Sequence, residues 1–357
     1  MDFTLTAEQV LLRDSVARFA INQSNGARTD SWSAFAELGW LAIGAPQALG
    51  GFGGPVETLL FMEQCGYGLV RSPYVGQVVF AGSILRSAER LDLYEELIDG
   101  HRRFAVAYEE PRARYDASVV QTTARRNERG WTIHGAKVRA LDVSTADTAI
   151  VSARTDDGIA LFTVPAIAPN LTKTPYPAED GSDVADLRFD GVDVEDDALI
   201  GASKGLELLD AGIDHATAAL CAEALGLCQR MLEATVEYTK QRRQFGVPLS
   251  SFQALQHRMA EMYIELELLR SMAYFAAMTL EDETDPAARK RGLSAAKAQV
   301  AKSGRFIGQQ AIQLHGGIGM SEEYRIGHYF KRMTLLERLL GDRDYHLHRY
   351  VDLAEAR

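Results

Sequence analysis

The chain has 357 residues, a net charge of −11, and 46% hydrophobic against 24% charged residues. That balance describes a globular protein of two or three domains with ample material for a buried core, and it excludes a disordered chain. The acidic surplus, without a Lys/Arg run, is a poor counter-ion for phosphate backbones, so no nucleic-acid partner is expected. The first residues, MDFTLTAEQ, hold no apolar signal core. From Thr6 to about Gly100, apolar residues recur at three- and four-residue steps (Val10, Leu11, Val16, Phe19, Ala20; then Phe35, Leu38, Trp40, Leu41), which predicts a set of helices. The run Gly50, Gly51, Phe52, Gly53, Gly54, Pro55 interrupts them; it lacks the Lys-Ser/Thr of a phosphate-binding loop and reads as a turn. The most apolar stretch, Tyr74–Leu85, is shorter than the ~18 residues of a membrane span, so no span and a cytoplasmic location are expected.

From about Arg103 to Ile200 the pattern shifts to short β-rich runs between Gly, Asp and Pro turns: Ser118–Thr123, Trp131–His134, Thr148–Ala153, Ile159–Val164 and Val184–Phe189. They predict a small antiparallel β domain. The helical period then returns. Leu206–Arg243 contains no proline and suits one helix of ~55 Å. Further helices are expected from Phe252 to about Leu280, from Ala287 to Leu314, where Gly316-Gly317 marks a stop, and over Glu322–Leu340. The expected domains are 1–102 (helical), 103–200 (β) and 201–357 (helical bundle).

Motifs for common chemistries are missing: there is no H-E-x-x-H, no G-x-S-x-G and no Walker sequence. Cys65, Cys221 and Cys228 form no C-x-x-C, so neither a disulfide framework nor a zinc ribbon is indicated and a reducing compartment is expected. His328, His346 and His348 cluster near the C-terminus, where alternate histidines on a polar tail more often face solvent than a metal. Two segments are more specific. Arg242-Arg243-Gln244-Phe245-Gly246 runs through Pro248 to Gln253 at a corner between two long helices; a guanidinium fork suits a pyrophosphate and a neighbouring aromatic ring can cover a base, although a capped surface turn explains the same residues. Gln313-Leu314-His315-Gly316-Gly317 places glycines where a ligand can approach backbone, and is equally consistent with a helix stop.

Together these segments resemble the acyl-CoA dehydrogenase family, with its R-x-x-F-G-x-P-hydrophobic-x-x-F-Q-x-x-x-H-x-x-A-x-M pattern followed about sixty residues later by Q-x-x-G-G-x-G. The α–β–α order and the length extend the resemblance over essentially the whole chain. CAEALG, RRQFGVPLSSFQALQHRMAEM, AAKAQVAKSGRFIGQQAIQLHGGIGM and GHYFKRMT further resemble the small subunits of pimeloyl-CoA-type dehydrogenases and of related actinobacterial heteromeric enzymes. The resemblance implies an α+β multi-domain fold: N-terminal helices, a middle antiparallel β-barrel-like domain and a C-terminal four-helix bundle, in dimers or dimers of dimers with FAD between subunits. It further implies an acyl-CoA substrate and an electron-transferring flavoprotein as acceptor. By the same resemblance, Arg242 and Gln253 reach the neighbouring subunit's FAD, Phe245 lies beside its adenosine half, and the loop of Gln313, Leu314, His315, Gly316 and Gly317 contacts the adenine–pyrophosphate region.

The departures are as informative. The family's reaction needs a carboxylate base for the substrate α-proton. One of its two standard positions falls on Leu340, the other on Ala216. The loop and W-I-T segment that cover the flavin ring in the family correspond to Pro111–Asp116 and Val138–Leu141, so that Arg139 and Leu141 replace the Trp and Thr. The expectation is a subunit that donates adenosine-side FAD contacts, lacks its own base, and works with a paralogous catalytic subunit in an α2β2 enzyme. The alternatives are a self-sufficient dehydrogenase with a relocated base, for which Glu223 and Asp342 are the weak candidates, and a non-catalytic CoA- or nucleotide-binding scaffold.

Overall fold

The computed structural model describes residues 4–24 and 31–355; residues 1–3, 25–30 and 356–357 of the segments read above lie outside the described residues. In chain order the helices begin with α1 (Ala7–Ser24), α2 (Ser31–Glu37) and α3 (Pro55–Gly68). A wide π-type turn, Tyr74–Phe80, leads into α4 (Ala81–Ser87), followed by α5 (Leu91–Ile98). The strands are β1 (Phe104–Ala107), β2 (Thr123–Arg126), β3 (Gly130–Leu141), β4 (Thr148–Thr155), β5 (Gly158–Pro165), β6 (Leu171–Pro177), β7 (Asp183–Glu195) and β8 (Leu199–Ile200). Then come α6 (Gly205–Gln241), the hairpin β9 (Arg243–Gln244) and β10 (Val247–Pro248), α7 (Gln253–Asp282), α8 (Pro286–His315), α9 (Arg325–Arg338) and α10 (Arg343–Glu355).

These elements form two compact units that do not follow chain order. One comprises Met1–Thr29, Gly53–Arg71 and Thr217–Arg357; the other comprises Asp30–Phe52 and Ser72–Ala216. In the first unit, helical apart from the short β9–β10 hairpin, α1 packs on α3, α3 on α7, and α8 on α7, α9 and α10. Its closest backbone approach is made by glycines: a Cβ on Gly226 of α6 would lie 1.8 Å from the Glu63 carbonyl oxygen, and one on Gly66 of α3 2.1 Å from that of Glu223. Only hydrogen side chains let α3 and α6 meet this closely. Local sequence fixes the helix starts: Pro286 occupies the first turn of α8 while the Asp285 carboxylate accepts from the Ala287 and Ala288 N–H groups.

The second unit is built on one eight-stranded sheet in the order β6-β7-β3-β2-β4-β5-β8, with β1 beside β4. Most pairs are antiparallel, as the turn-punctuated sequence predicts, but β1 and β2 meet β4 in parallel. Inward residues such as Ile133, Val151, Phe162, Phe189 and Val192 form the core. Also buried, Lys137 donates to Glu110 Oε1 (2.7 Å), Ser152 Oγ (2.9 Å) and the Tyr108 carbonyl (3.4 Å), while Glu110 also accepts from the Gln121 and Thr122 N–H groups. Fully satisfied in this way, the pair ties β3 to the loop before β2.

Three local expectations differ from the structure. The run expected from Ser118 becomes a strand only at Thr123, because the Asp116 carboxylate captures the Ser118 N–H and hydroxyl and closes a turn. β6, with Pro175 and Pro177, is an edge strand, where prolines leave no ladder donor missing. The polar tail is a helix, α10, that packs on α8 and buries His346, so of the clustered histidines His346 faces the interior rather than solvent, while His348 is exposed. Among the described residues no cluster of ligating side chains suits a metal ion, and no helix is long and apolar enough to cross a membrane.

Candidate functional site

The corner after α6 is a two-residue turn between β9 and β10, with Phe245 at φ +53° and Gly246 at φ +82°. Glycine adopts such angles freely; a phenylalanine there costs on the order of 1 kcal/mol. This Phe245 is also 92% exposed, its ring edge-on to Phe252 at 6.3 Å between centroids. A large apolar ring held in a strained turn and shown to solvent is built to meet something. Arg243 is tied to the turn through the Gly246 carbonyl (2.7 Å). Arg242 is exposed, and among the described residues it has no ion-pair partner, so its fork of donors is available. Gln253, also exposed, opens α7 on the far side of the corner.

The second loop is adjacent. Tyr238, one turn before Arg242 on α6, stacks on His315 with centroids 4.5 Å apart, and Tyr324 closes the group at 5.2 Å from the imidazole. His315 Nδ1 lies 2.8 Å from the Ala311 carbonyl, which only accepts, so Nδ1 carries the proton. Its Nε2 is buried without a hydrogen-bond partner. Burial holds the His315 pKa below its ordinary value, so the ring is neutral. Gly316, at φ +65°, and Gly317 are exposed with open space above each Cα, and Gln313 is exposed beside them; Leu314 turns its side chain inward. The structure therefore gathers Arg242, Phe245, His315 and the glycine loop around one corner. The Tyr238–Tyr324 pair is the part that motif spacing missed, and the four-residue step from Tyr238 to Arg242 is the only sequence signal for it.

At the two positions where the resemblance places a base, the structure holds apolar side chains. Leu340 is 6% exposed and left-handed at φ +58°, and Ala216 is fully buried. Asp214, two residues before Ala216, is buried with it, and three other acids near these positions are held by structural partners. Glu223 receives Arg332 Nε at 2.6 Å and Nη2 at 3.0 Å, a bidentate pair. Glu337 is held by Arg305, and Asp342 accepts the Tyr345 N–H (2.9 Å) at the start of α10.

In the sheet unit, the Val138–Leu141 segment is a bulge where the β3–β7 register shifts and Arg139 turns to φ +54°. Its N–H donates to Asp186 Oδ1 (3.0 Å) and its guanidinium to Glu109 Oε2 (2.9 Å). Burial holds the Glu109 pKa above its ordinary value, and Arg139 offsets only part of that rise.

Three family models match in succession: the acyl-CoA dehydrogenase N-terminal domain over residues 6–89, the middle domain over 105–192 and the C-terminal domain over 203–351. The probable acyl-CoA dehydrogenase YngJ of Bacillus subtilis (strain 168) is 31% identical over 94% of this chain and 95% of its own length. The chain belongs to the acyl-CoA dehydrogenase family. Acyl-CoA dehydrogenase FadE12 of Mycobacterium tuberculosis (strain ATCC 25618 / H37Rv) is 29% identical over 91% of this chain and 90% of its own. Among solved structures, the Tcur3481-Tcur3483 steroid ACAD G363A variant superposes with a TM-score of 0.86 at 29% identity, covering 99% of both chains.

The donor chemistry can be tested against FAD, the cofactor of acyl-CoA dehydrogenases. An available guanidinium, an exposed aromatic ring and open glycine backbone suit the adenosine diphosphate half. Where the resemblance places a cover for the redox ring, the Val138–Leu141 segment offers an ion pair and an aliphatic chain rather than an aromatic face and a hydroxyl.

Proposed function

We propose that this acyl-CoA dehydrogenase is the accessory subunit of a heteromeric enzyme: it supplies adenosine-side FAD contacts across a subunit interface and leaves the base to a paralogous partner. The observation that carries the reading is the pairing of an intact, exposed corner at Arg242 and Phe245 with apolar residues at positions 340 and 216. Similarity to a structure whose name joins two proteins, Tcur3481 and Tcur3483, adds support.

The family reaction takes an α-proton to a carboxylate and desaturates the acyl chain between its α and β carbons. FAD, when bound, accepts the β-hydrogen with its electron pair. In this chain Arg242 pairs with the pyrophosphate, Phe245 covers the adenosine side, Gln253 adds a polar contact, and the Gln313–Gly317 backbone lies against the adenine–pyrophosphate region. A bulky acyl group, such as a steroid side chain or a dicarboxylyl chain, is the proposed substrate of the assembled enzyme. An electron-transferring flavoprotein is the proposed acceptor.

The test is a set of subunit-specific substitutions in the co-purified enzyme. Glu223→Gln with Asp342→Asn in this chain leaves turnover within about twofold, whereas the partner's base position, once substituted, abolishes it. Loss of turnover from the changes in this chain, with the unfolding midpoint and flavin content unchanged, would return catalysis to it.

A further inference from the structure

The least expected buried charge in the helical unit lies away from the FAD corner. Lys297 of α8 is 1% exposed, and among the described residues it forms no ion pair. Its ammonium donates instead to the carbonyl oxygens of Leu336 (2.9 Å), Glu337 (3.0 Å) and Gly341 (3.0 Å). All three of its hydrogens are thereby used. Leu336 and Glu337 lie in the last turn of α9, whose carbonyls have no donor within the helix and whose dipole presents its negative end to the cation.

His346 holds the same turn from its other side. Its Nε2 is 3.1 Å from the Leu340 carbonyl and so carries the proton, and its Nδ1 accepts from the Ser294 hydroxyl at 3.3 Å. Ser294 and Lys297 sit three residues apart on one face of α8. Between the two anchors Leu340 adopts φ +58° and Gly341 φ +115°. A Cβ on Gly341 would lie 2.4 Å from the Tyr345 ring and 2.7 Å from His346 Nε2, so the turn accepts only glycine there.

A helix stop needs no buried cation; a glycine cap is enough. This turn is instead fixed at the carbonyls on both sides of residue 340, and none of the bonds uses that residue's side chain. We propose that Lys297 and His346 are positioning residues for residue 340, and that the chain retains the complete mount of a catalytic carboxylate with only the carboxylate replaced. The inference rests on the reading of position 340 given above.

Two measurements on the flavin-loaded, full-length protein with its paralogue test it. The first is backbone hydrogen–deuterium exchange over residues 336–346, read by mass spectrometry. Lys297→Met speeds exchange there at least tenfold while α6 and α7 stay as in wild type, and Leu340→Glu keeps wild-type protection. If Lys297→Met does not yield folded protein, His346→Gln reports on the same turn and gives a smaller, equally local loss. Wild-type protection in both variants, or a loss spread evenly over the helical unit, overturns the positioning role. The second, made with the partner's base position substituted, uses butyryl-CoA as probe and follows exchange of its α-hydrogens with D2O. Leu340→Glu raises that exchange at least tenfold, and Leu340→Glu/Lys297→Met removes the gain. A Leu340→Glu protein with a protected turn and no α-hydrogen exchange leaves the clamp standing and overturns position 340 as the base position.

Discussion

At Arg242 an exposed guanidinium stands one helical turn from a Tyr–His stack and three residues from a strained, exposed phenylalanine. Charge-assisted bonds to phosphate are worth about 1.5–3 kcal/mol, so Arg242→Ala is expected to weaken FAD binding at least ~10-fold without lowering the melting temperature. Fluorescence titration with FAD measures this, and unchanged affinity would remove Arg242 from the site. Glu223 behaves oppositely. Its pair with Arg332 is largely buried, and Glu223→Ala removes both of these charge-assisted bonds at a cost of about 2–3 kcal/mol, visible as a lower denaturation midpoint. The corner residues were legible in the sequence because spacing along one loop carries them. The partners of Glu223 and Glu337 were not, since Arg332 and Arg305 reach them from other helices.

Among the elements, long helices were the most readable: α6, α7 and α8 run within a few residues of where proline, glycine and periodicity put their ends. Edge strand β6 and the last helix were lost for definite reasons. Prolines in β6 mimic turn signals, and the burial of His346 depends on α8, which no local pattern reveals. The α3–α6 crossing was equally invisible, because a glycine in a helix reads as a weak position until its neighbour is seen. Gly226→Ala pushes a methyl group into the Glu63 carbonyl, which belongs to a helix backbone and cannot rotate aside. The expected loss is about 2–3 kcal/mol in urea unfolding, and a loss below ~0.5 kcal/mol would show that the two helices separate easily.

For the molecule as a whole, buried lysines set a pH signature. Burial pushes Lys297 down from 10.5 to about 8. Between those values the unfolded chain holds a proton that the folded chain has released, so stability rises with pH through that window and the full burial cost is present below pH 8. Lys297→Met removes this dependence. Wild type therefore gains stability relative to the variant by on the order of 3 kcal/mol from pH 8 to 10.5, and a pH-independent difference would mean that Lys297 titrates normally. The wider architecture agrees with the family at every domain, and on the proposed reading the functional parts are unevenly kept: the corner that faces outward is complete, while the base positions and the bulge at Arg139 are not. A shared cofactor explains that unevenness, because a subunit can keep the half-site it gives away and lose the half it would use itself. The most direct test is the flavin-to-chain ratio, read by absorbance, of the protein purified alone and then with its paralogue. About one flavin per two chains, found only in the mixture, is the predicted result; full flavin occupancy of the lone protein, bleached by an acyl-CoA, would contradict it.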